Sequence, residues 1–452
     1  MPNPATASTS PAVGSLWILS PGRDMLLFLL TPVLILPAIL GAEGVFTTAA
    51  ISAFVMAFGA MGHHLPGMMR AYGDRALFRR FRTRFLLAPI VLVVLCVGFA
   101  LKGSHGMLVV AYAWGVWHGW MQTYGFMRIY DAKVGSFAPI TARLDFGVCA
   151  AWFLGGVIFS DNRVHYLQEM LVDFGATPLS AVAVGILRNT WVVVLVAVTL
   201  GYFVNSAVQA RAGRPTNPVK GVLIAASVAW WWYANVYVTD ILIGLILFEI
   251  FHDVQYLAIV WVFNRGRVQQ EPGVGRFTRF VFRRSWGLVG LYLGMIFAYG
   301  GLGPVAEATL ASDSAIAVAT ALITASTLLH FYFDGFIWKV REKSTRRVLG
   351  IADAEEGTPD LVVTTHGLKW LLLLLVPAAV LWVTDGRNDH GGNDTDMATT
   401  RSLDTIKALA AGAPEAANAW FDLAVALGKA SDQDAALAAL ERTLALNPRH
   451  PE

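Results

Sequence analysis

The chain has 452 residues, of which 56% are hydrophobic and 14% charged, and its mean hydropathy is +0.56. A soluble domain usually carries about 25% charged residues, so the composition excludes an ordinary soluble protein and predicts a polytopic membrane protein. The net charge of +3 says little, because in a membrane protein the distribution of charge matters more than its sum. The two cysteines, Cys96 and Cys149, both lie in apolar runs and cannot build a cysteine-based metal site.

Residues 1–24 are predicted to be a disordered segment, because the chain begins with a stretch rich in Pro, Ser, Thr and Ala. The apolar run after Arg23 lacks a convincing cleavage site, which indicates a retained span rather than a signal peptide. About 20 apolar residues cross a bilayer core, and this rule predicts about eleven transmembrane helices between residues 25 and 384. They are Met25–Leu40, Phe46–His64, Phe85–Lys102, Met107–Met127, Leu144–Ser160, Thr190–Val208, Val219–Asn235, Val238–Phe263, Trp286–Gly301, Ser314–Trp338 and Leu368–Thr384. The segment His165–Leu187, interrupted by Pro and acidic residues, is predicted to be an interfacial helix or a re-entrant piece.

Lys and Arg are concentrated in the loops that follow even-numbered spans, whereas the intervening loops are poor in basic residues. The basic groups lie at residues 70–84, 128–143, 211–220, 265–284 and 339–347. Because cytoplasmic loops carry the excess of Lys and Arg, the pattern predicts a plasma or bacterial inner membrane protein with a cytoplasmic N-terminus and an extracytoplasmic C-terminus. The basic loops are expected to face anionic lipid headgroups rather than nucleic acid.

The composition changes after the last span to a flexible polar linker, residues 385–400, and then to an Ala-rich helical tail, residues 401–452. The residues Trp420, Leu423, Ala436, Leu440 and Pro448 follow the spacing of a tetratricopeptide repeat. The tail therefore resembles one such repeat from Ala417 onward, although Thr443 stands where the family usually has Ala. A single repeat cannot bury both of its faces, so it is expected to pack on the short helix Arg401–Ala411, a second copy of the chain or a protein partner. The alternative is an inert stub.

Histidines occur within four of the predicted spans, all of them even-numbered and therefore predicted to run toward the cytoplasm. These residues are His63 and His64, His118, His252 and His330. At about 1.5 Å per residue, they lie about 16 to 26 Å from the outer ends of their spans, in the cytoplasmic half of a core about 30 Å thick. Four helices thus bring imidazoles to a comparable depth, which predicts one shared site.

The intramembrane histidines have polar neighbours at helical spacing. Glu249 and His252 form an E-x-x-H pair, as in di-metal carboxylate bundles. His118 has Gln122, and His330 has Asp334, four residues further on. Imidazole together with carboxylate suits iron, zinc or manganese. The predicted metal ligands, with iron first and zinc second, are His63, His64, His118, Glu249, His252, His330 and Asp334.

The strongest expectation is that Glu249 and His252 bind one metal ion together with His118 or His330. The simpler interpretation is that each histidine hydrogen-bonds a neighbouring helix. The remaining histidines are expected to lie in loops or the tail, outside the site: His105, His165, His366, His390 and His450.

The arrangement resembles the membrane-embedded histidine-cluster oxidoreductases of the di-iron type, which include lipid desaturases, hydroxylases and oxygenases. The resemblance implies non-haem iron that activates oxygen against a lipid or another hydrophobic small molecule. It also implies that Tyr256 and Gln122 donate hydrogen bonds to bound oxygen or substrate. The repeated H-x-x-x-x-H and H-x-x-H-H boxes of desaturases are absent from this sequence.

Three other classes of protein remain open at this stage. A haem-binding electron carrier would use paired histidines on facing helices. A membrane-bound O-acyltransferase is suggested by Trp117–Gly119, which resembles part of that family's histidine motif, although no second family motif accompanies it. An ion- or proton-coupled transporter would also place His, Asp and Glu in the membrane, although the sequence has no internal repeat of the kind that transporters show.

Overall fold

The computed structural model describes residues 15–271, 274–283, 285–337, 346, 348–351, 367–385 and 401–448. These residues form helices and no strands, as the predicted all-α class requires. The first half contains α1 (Pro21–Asp24), α2 (Thr31–Glu43), α3 (Thr48–Val55), α4 (His64–Gly73), α5 (Arg75–Arg80), α6 (Arg82–Leu101), α7 (Gly106–Lys133), α8 (Pro139–Ile158), α9 (Asp161–Val172) and α10 (Ala181–Arg211). The second half contains α11 (Pro218–Trp232), α12 (Ile241–Gln270), α13 (Arg276–Val281), α14 (Trp286–Gly300), α15 (Leu302–Thr309), α16 (Asp313–Ile337), α17 (Gly367–Thr384), α18 (Leu403–Gly412), α19 (Ala417–Lys429) and α20 (Gln433–Leu446). Short π-helical segments occur at Met25–Leu29, Met56–Met61, Tyr233–Tyr237 and Leu371–Leu375.

Eight helices of the described chain are long and apolar enough to cross a membrane, or nine if the bent pair Pro21–Leu29 and Thr31–Glu43 is one span. They indicate a polytopic membrane protein, but they do not confirm the predicted count of about eleven. The difference lies in α7 and α11, which are helical where spans were predicted but are not among those eight or nine. Both helices are rich in Trp, Tyr or polar residues.

The helices differ in how much of their apolar surface other helices cover. About half of the most apolar window is buried in α12 (56%) and α16 (50%), against 11% in α10 and 22% in α6. Two of the histidine-bearing helices therefore lie inside the bundle, whereas α10 and α6 present most of their surface outward. Helix α8, which carries no histidine, is also 50% buried.

Glycine allows close helix contacts beside the histidines. A Cβ atom at Gly119 would lie 2.8 Å from the ring of Phe248, so this position brings α12 against α7 next to His118. A Cβ atom at Gly300 would lie 1.5 Å from the carbonyl oxygen of Ala57, so α14 touches the π-helical segment that precedes the first histidines. Such contacts fix neighbouring helices in one register, because packed interiors leave little space for added atoms.

A buried ion network joins α7, α8 and α11 at the end of α7. Lys220 Nζ lies 2.7 Å from Asp131 Oδ2 and 2.9 Å from Asp145 Oδ1. Arg128 Nη1 lies 2.8 Å from Asp131 Oδ2 and 2.7 Å from Asp145 Oδ2. Two cations and two carboxylates thus compensate each other, which makes their burial in an apolar protein tolerable.

The segment before the first span is packed against the same end of α7. Asp24 is fully buried and accepts hydrogen bonds from the backbone of Ile18 at 2.7 Å and Leu19 at 2.9 Å, and from the Tyr130 hydroxyl at 2.9 Å. Residues 15–24 therefore have a defined conformation, in contrast to the disorder predicted for 1–24. Residues 1–14 and 386–400, the rest of that segment and most of the predicted linker, lie outside the described residues.

The segment predicted to be one interfacial or re-entrant piece, His165–Leu187, is divided in the structure. Its first part belongs to α9, a helix of 12 residues, and its last part begins the 31-residue helix α10 at Ala181. The predicted start of the span at Thr190 was wrong, because α10 begins about two turns earlier, at Ala181. Ser180 caps this end of the helix, and its hydroxyl accepts a hydrogen bond from the Ala183 backbone at 3.2 Å.

The tail forms three helices, and the short helix α18 packs on α19 through Ile406, Ala410 and Leu423. The tail also contacts the bundle at α9. Arg401 pairs with Glu169 at 2.5 Å and Asp173 at 2.8 Å. The helix pair α19 and α20, which resembles a repeat, therefore has α18 packed on it, and the tail contacts the helix bundle at α9.

Candidate metal centre

Four histidines from four separate helical segments meet inside the bundle. His63 precedes α4, and His118, His252 and His330 lie on α7, α12 and α16. One ring nitrogen from each lies within 4.8 Å of the others, and each residue is at most 6% exposed. The Nε2 atoms of His63 and His330 are 3.1 Å apart. Two nitrogens bound at right angles to one metal, with bonds of about 2.1 Å, are separated by about 3 Å, so this spacing fits a shared ion as well as a hydrogen bond between the two rings.

The break in the second span selects which of its two histidines joins the cluster. The helix changes to π geometry over Met56–Met61 and turns at Gly62 and His63 before α4 begins. Single-turn π segments occur often at functional sites, because the extra residue rotates the side chains that follow. His63 is thereby directed at the other three histidines.

His64, which the sequence predicted as a ligand beside His63, is not among the four grouped nitrogens. Its ring stacks on His330 with centroids 4.7 Å apart, and its Nδ1 lies 3.3 Å from the hydroxyl of Ser326. It therefore lies at the edge of the cluster with a polar partner of its own.

Glu249 belongs to a different group from the one predicted. The structure places its carboxylate near His63 and Asp253, all within 4.8 Å, rather than in one group with His252. Glu249 lies next to Asp253 because the two residues are four positions apart on α12 and therefore share one face of that helix. Asp253 is not among the ligands predicted from the sequence, although its spacing of four residues from Glu249 was a usable signal.

Asp253 and the backbone orient the imidazole of His63. The Nδ1 atom of His63 lies 2.6 Å from the Gly59 carbonyl oxygen and 2.8 Å from Asp253 Oδ1. The geometry satisfies a hydrogen bond to Gly59, and Asp253 Oδ1 makes a close polar contact with the same nitrogen. Two acceptors at Nδ1 hold the N–H there, which leaves the Nε2 lone pair facing the cluster. Carboxylates and carbonyls commonly fix metal-ligating imidazoles in this way.

Asp334 and Tyr256 lie together beside His330. The Tyr256 hydroxyl donates to Asp334 Oδ1 at 3.2 Å, and Asp334 Oδ2 is 3.6 Å from His330 Nε2. The ring of Tyr256 lies 5.2 Å from that of His330 and 5.5 Å from that of His63. A Cβ atom at Gly67 would lie 3.1 Å from the Tyr256 hydroxyl, so glycine leaves space for these groups.

Gln122 contacts the cluster through the backbone of α12. Its amide donates to the carbonyl oxygen of His252 at 3.0 Å and to Gln255 Oε1 at 3.1 Å. Gln255 in turn donates to the Phe28 carbonyl oxygen at 2.8 Å. Both hydrogen bonds donated by the Gln122 amide therefore go to α12, and its role as a donor to bound oxygen or substrate stays a prediction.

Two ring nitrogens of the cluster have no hydrogen-bond partner among the described residues: His118 Nε2 and His330 Nδ1. A buried polar atom without a partner costs about 1–3 kcal/mol. The ring of His118 is also covered by Phe331, whose ring stacks on it with centroids 4.6 Å apart. A cation is one way to satisfy His118 Nε2, whereas His330 Nδ1 is not the ring nitrogen that faces His63 and would not be satisfied by the same ion.

No family model matches the chain, and no curated protein or solved structure matches it either. The resemblance to histidine-cluster oxidoreductases and the resemblance of the tail to a tetratricopeptide repeat both remain predictions from the sequence.

Proposed function

We propose that this protein is a metal-dependent membrane enzyme whose metal ion is held by His63, His118, His252 and His330. The observation that carries the proposal is the convergence of four buried imidazoles from four helices, with nitrogens within 4.8 Å of each other. Removing four imidazoles from water without a ligand in common would be costly. Iron is the first candidate for the metal and zinc the second, since both accept imidazole together with carboxylate ligands.

The carboxylates support the ligands from outside the tetrad. Asp253, with Glu249 beside it, holds the tautomer of His63 in which Nε2 is free to bind a metal. Asp334 is held by Tyr256 and lies beside His330. These groups add negative charge near the ion, which offsets the cost of placing a divalent cation in a low-dielectric interior.

We propose an oxidoreductase that acts on a lipid or another hydrophobic molecule. A bound iron ion would supply redox chemistry, and the chain's residues would position the substrate and exclude water. A cavity of about 260 Å³ between α6 and α17 has mostly apolar walls, which include Leu92, Trp370 and Tyr332. None of the four histidines lines it, and Tyr332 points to a different side of α16 from His330, because residues two apart on a helix do not share a face.

One observation favours a metal ion bound directly by the histidines over a haem. Two axial histidines of a haem lie on opposite faces of a flat porphyrin. Here His330 has the rings of His63, His64 and His118 with centroids within 4.8 Å, and these rings occupy the space that a porphyrin would need. Metal held directly by the imidazoles fits this arrangement better.

The orientation proposed from the basic loops has the N-terminus in the cytoplasm and the C-terminus outside. Helix α9 and the tail are separated by more than 200 residues, yet the positive-inside pattern assigns them to the same side. Their contact through Arg401 is consistent with that assignment. Lipids would then be the natural partners of the basic loops on the opposite side.

Elemental analysis and an optical spectrum of the detergent-purified protein test the proposal. We expect about one iron or zinc per chain and no haem absorption, and a loss of that metal in His118→Ala and in His330→Ala. His105→Ala is the matched control, because His105 is exposed and outside the cluster. A wild-type protein that contains no metal after expression in metal-supplemented medium, and takes up none from added Fe²⁺ or Zn²⁺, would overturn the proposal; the four histidines would then form a hydrogen-bonded structural cluster.

A further inference from the structure

A second group of potential metal ligands lies where the tail meets α9, remote in sequence from the intramembrane cluster. It consists of His165 and Glu169 on α9 and Asp422 on α19. The sequence analysis expected His165 to be outside any site. In the structure His165 is 3% exposed, and one ligand atom from each of the three residues lies within 4.8 Å of the others.

The imidazole of His165 faces both carboxylates with the same nitrogen. Its Nε2 lies 3.3 Å from Asp422 Oδ2 and 3.9 Å from Glu169 Oε2. In a tetrahedral zinc site, ligand atoms bound at about 2.0–2.1 Å are separated by about 3.4 Å. The distance to Asp422 matches this spacing, and the distance to Glu169 is about 0.5 Å longer, so a small shift of the Glu169 side chain would place the three atoms around one ion with a fourth position left for water.

The surroundings orient these groups for such a role. Arg401 donates to Glu169 Oε1 at 2.5 Å, which leaves Oε2 turned toward His165. A ligating carboxylate usually has its second oxygen fixed by a hydrogen bond in this way. The Nδ1 atom of His165 is buried and has no hydrogen-bond partner among the described residues, so the polar contacts of the ring are those of Nε2 with the two carboxylates.

We propose that His165, Glu169 and Asp422 bind a divalent cation, Zn²⁺ by the chemistry of the ligand set, and that this ion fastens the tail to the membrane domain. One nitrogen and two carboxylate oxygens form a ligand set that zinc accepts. Because Asp422 comes from the tail and the other two from α9, the ion binds tightly only when the tail is docked. Binding and docking therefore stabilise each other. This site goes beyond the proposed function and does not depend on it.

The tail can also dock without an ion, by an ion pair between a protonated His165 and the two carboxylates. The two explanations differ in their response to zinc. An ion pair is insensitive to a chelator, whereas a zinc clamp loosens when zinc is removed. At a Zn²⁺ concentration 100 times its dissociation constant, a ligand that binds only the docked form shifts the docking equilibrium about 100-fold.

The test uses the full chain in detergent, stripped of metal with a chelator and titrated with Zn²⁺. Hydrogen exchange of the tail helices and bound zinc per chain are the two measurements. We expect exchange of the tail to slow by about 100-fold as zinc saturates the site. We also expect Asp422→Asn and His165→Ala each to bind one zinc fewer than the wild type and to lose this slowing. Glu441→Gln is the matched control, because Glu441 is an exposed tail carboxylate outside the group.

Two results would overturn the inference. The first is tail exchange in the wild type that is the same with and without zinc, which would leave the ion pair as the explanation. The second is an Asp422→Asn protein that binds as much zinc as the wild type. Because a tail that undocks for another reason would also lose zinc, the zinc-dependent slowing of exchange in the wild type is the deciding measurement.

Discussion

Replacing Gly59 by Ala would displace Asp253 from His63 without changing any of the four clustered imidazoles. The new Cβ atom would lie 2.1 Å from Asp253 Oδ2 and 3.3 Å from its Cγ. Ordinary contact begins near 3.4 Å, so the carboxylate must retreat by roughly 1 Å. The contact of 2.8 Å between Asp253 Oδ1 and His63 Nδ1 cannot survive such a movement.

The expected loss of metal affinity follows from the role of that contact. Removing a group that orients a metal-ligating histidine typically weakens binding by about 10- to 100-fold. Overpacking should also lower the free energy of unfolding by about 1–3 kcal/mol. The assay is a competition titration of metal-free protein with Fe²⁺ or Zn²⁺ against a chromophoric chelator, together with thermal unfolding in detergent.

Gly125→Ala is the matched control for Gly59→Ala. Gly125 lies on α7, the helix of His118, and a Cβ atom there would meet nothing within 4 Å. We expect unchanged metal affinity and a gain in stability of about 0.5–1 kcal/mol, since Ala loses less backbone freedom than Gly on folding. If Gly59→Ala binds metal as tightly as the wild type, the reasoning that Asp253 supports His63 is refuted.

Four further substitutions test the fold and the composition of the cluster. His63→Ala should abolish metal binding, whereas His64→Ala should retain most of it because His64 lies outside the tetrad; equal losses of metal content would contradict the assignment. Lys220→Ala leaves two buried carboxylates short of a partner and should cost about 3–5 kcal/mol in thermal unfolding, and a change below about 1 kcal/mol would argue against a structural role. Gly300→Ala would place a Cβ atom 1.5 Å from the carbonyl oxygen of Ala57. It should lower both the unfolding temperature and the metal affinity by pushing α14 away from the π segment that precedes His63, and an unchanged metal affinity would separate this contact from the site.

The sequence by itself predicted the helical class and the convergence of histidines from four segments. Long apolar runs can form only helices in a membrane, because the bilayer offers no partner for backbone polar groups. A histidine within such a run must find a partner inside the protein, so His118, His252 and His330 were recognisable without a structure. The predicted count of about eleven spans is not confirmed, because α7 and α11 carry many Trp, Tyr or polar residues, and apolarity alone does not identify such helices.

Only the tertiary structure decided which polar groups meet. The π segment before His63 rotates the chain, and its presence cannot be read from the apolar sequence Met56–Met61, so His63 and His64 were indistinguishable. Glu249 lies with Asp253 and His63 because the packing of neighbouring segments against α12 determines which groups its carboxylates contact. His165 and Asp422 lie 257 residues apart in the chain, and their contact depends on how the tail docks on α9. Sequence spacing reports neighbours on one helix, whereas contacts between helices arise only when the bundle is assembled.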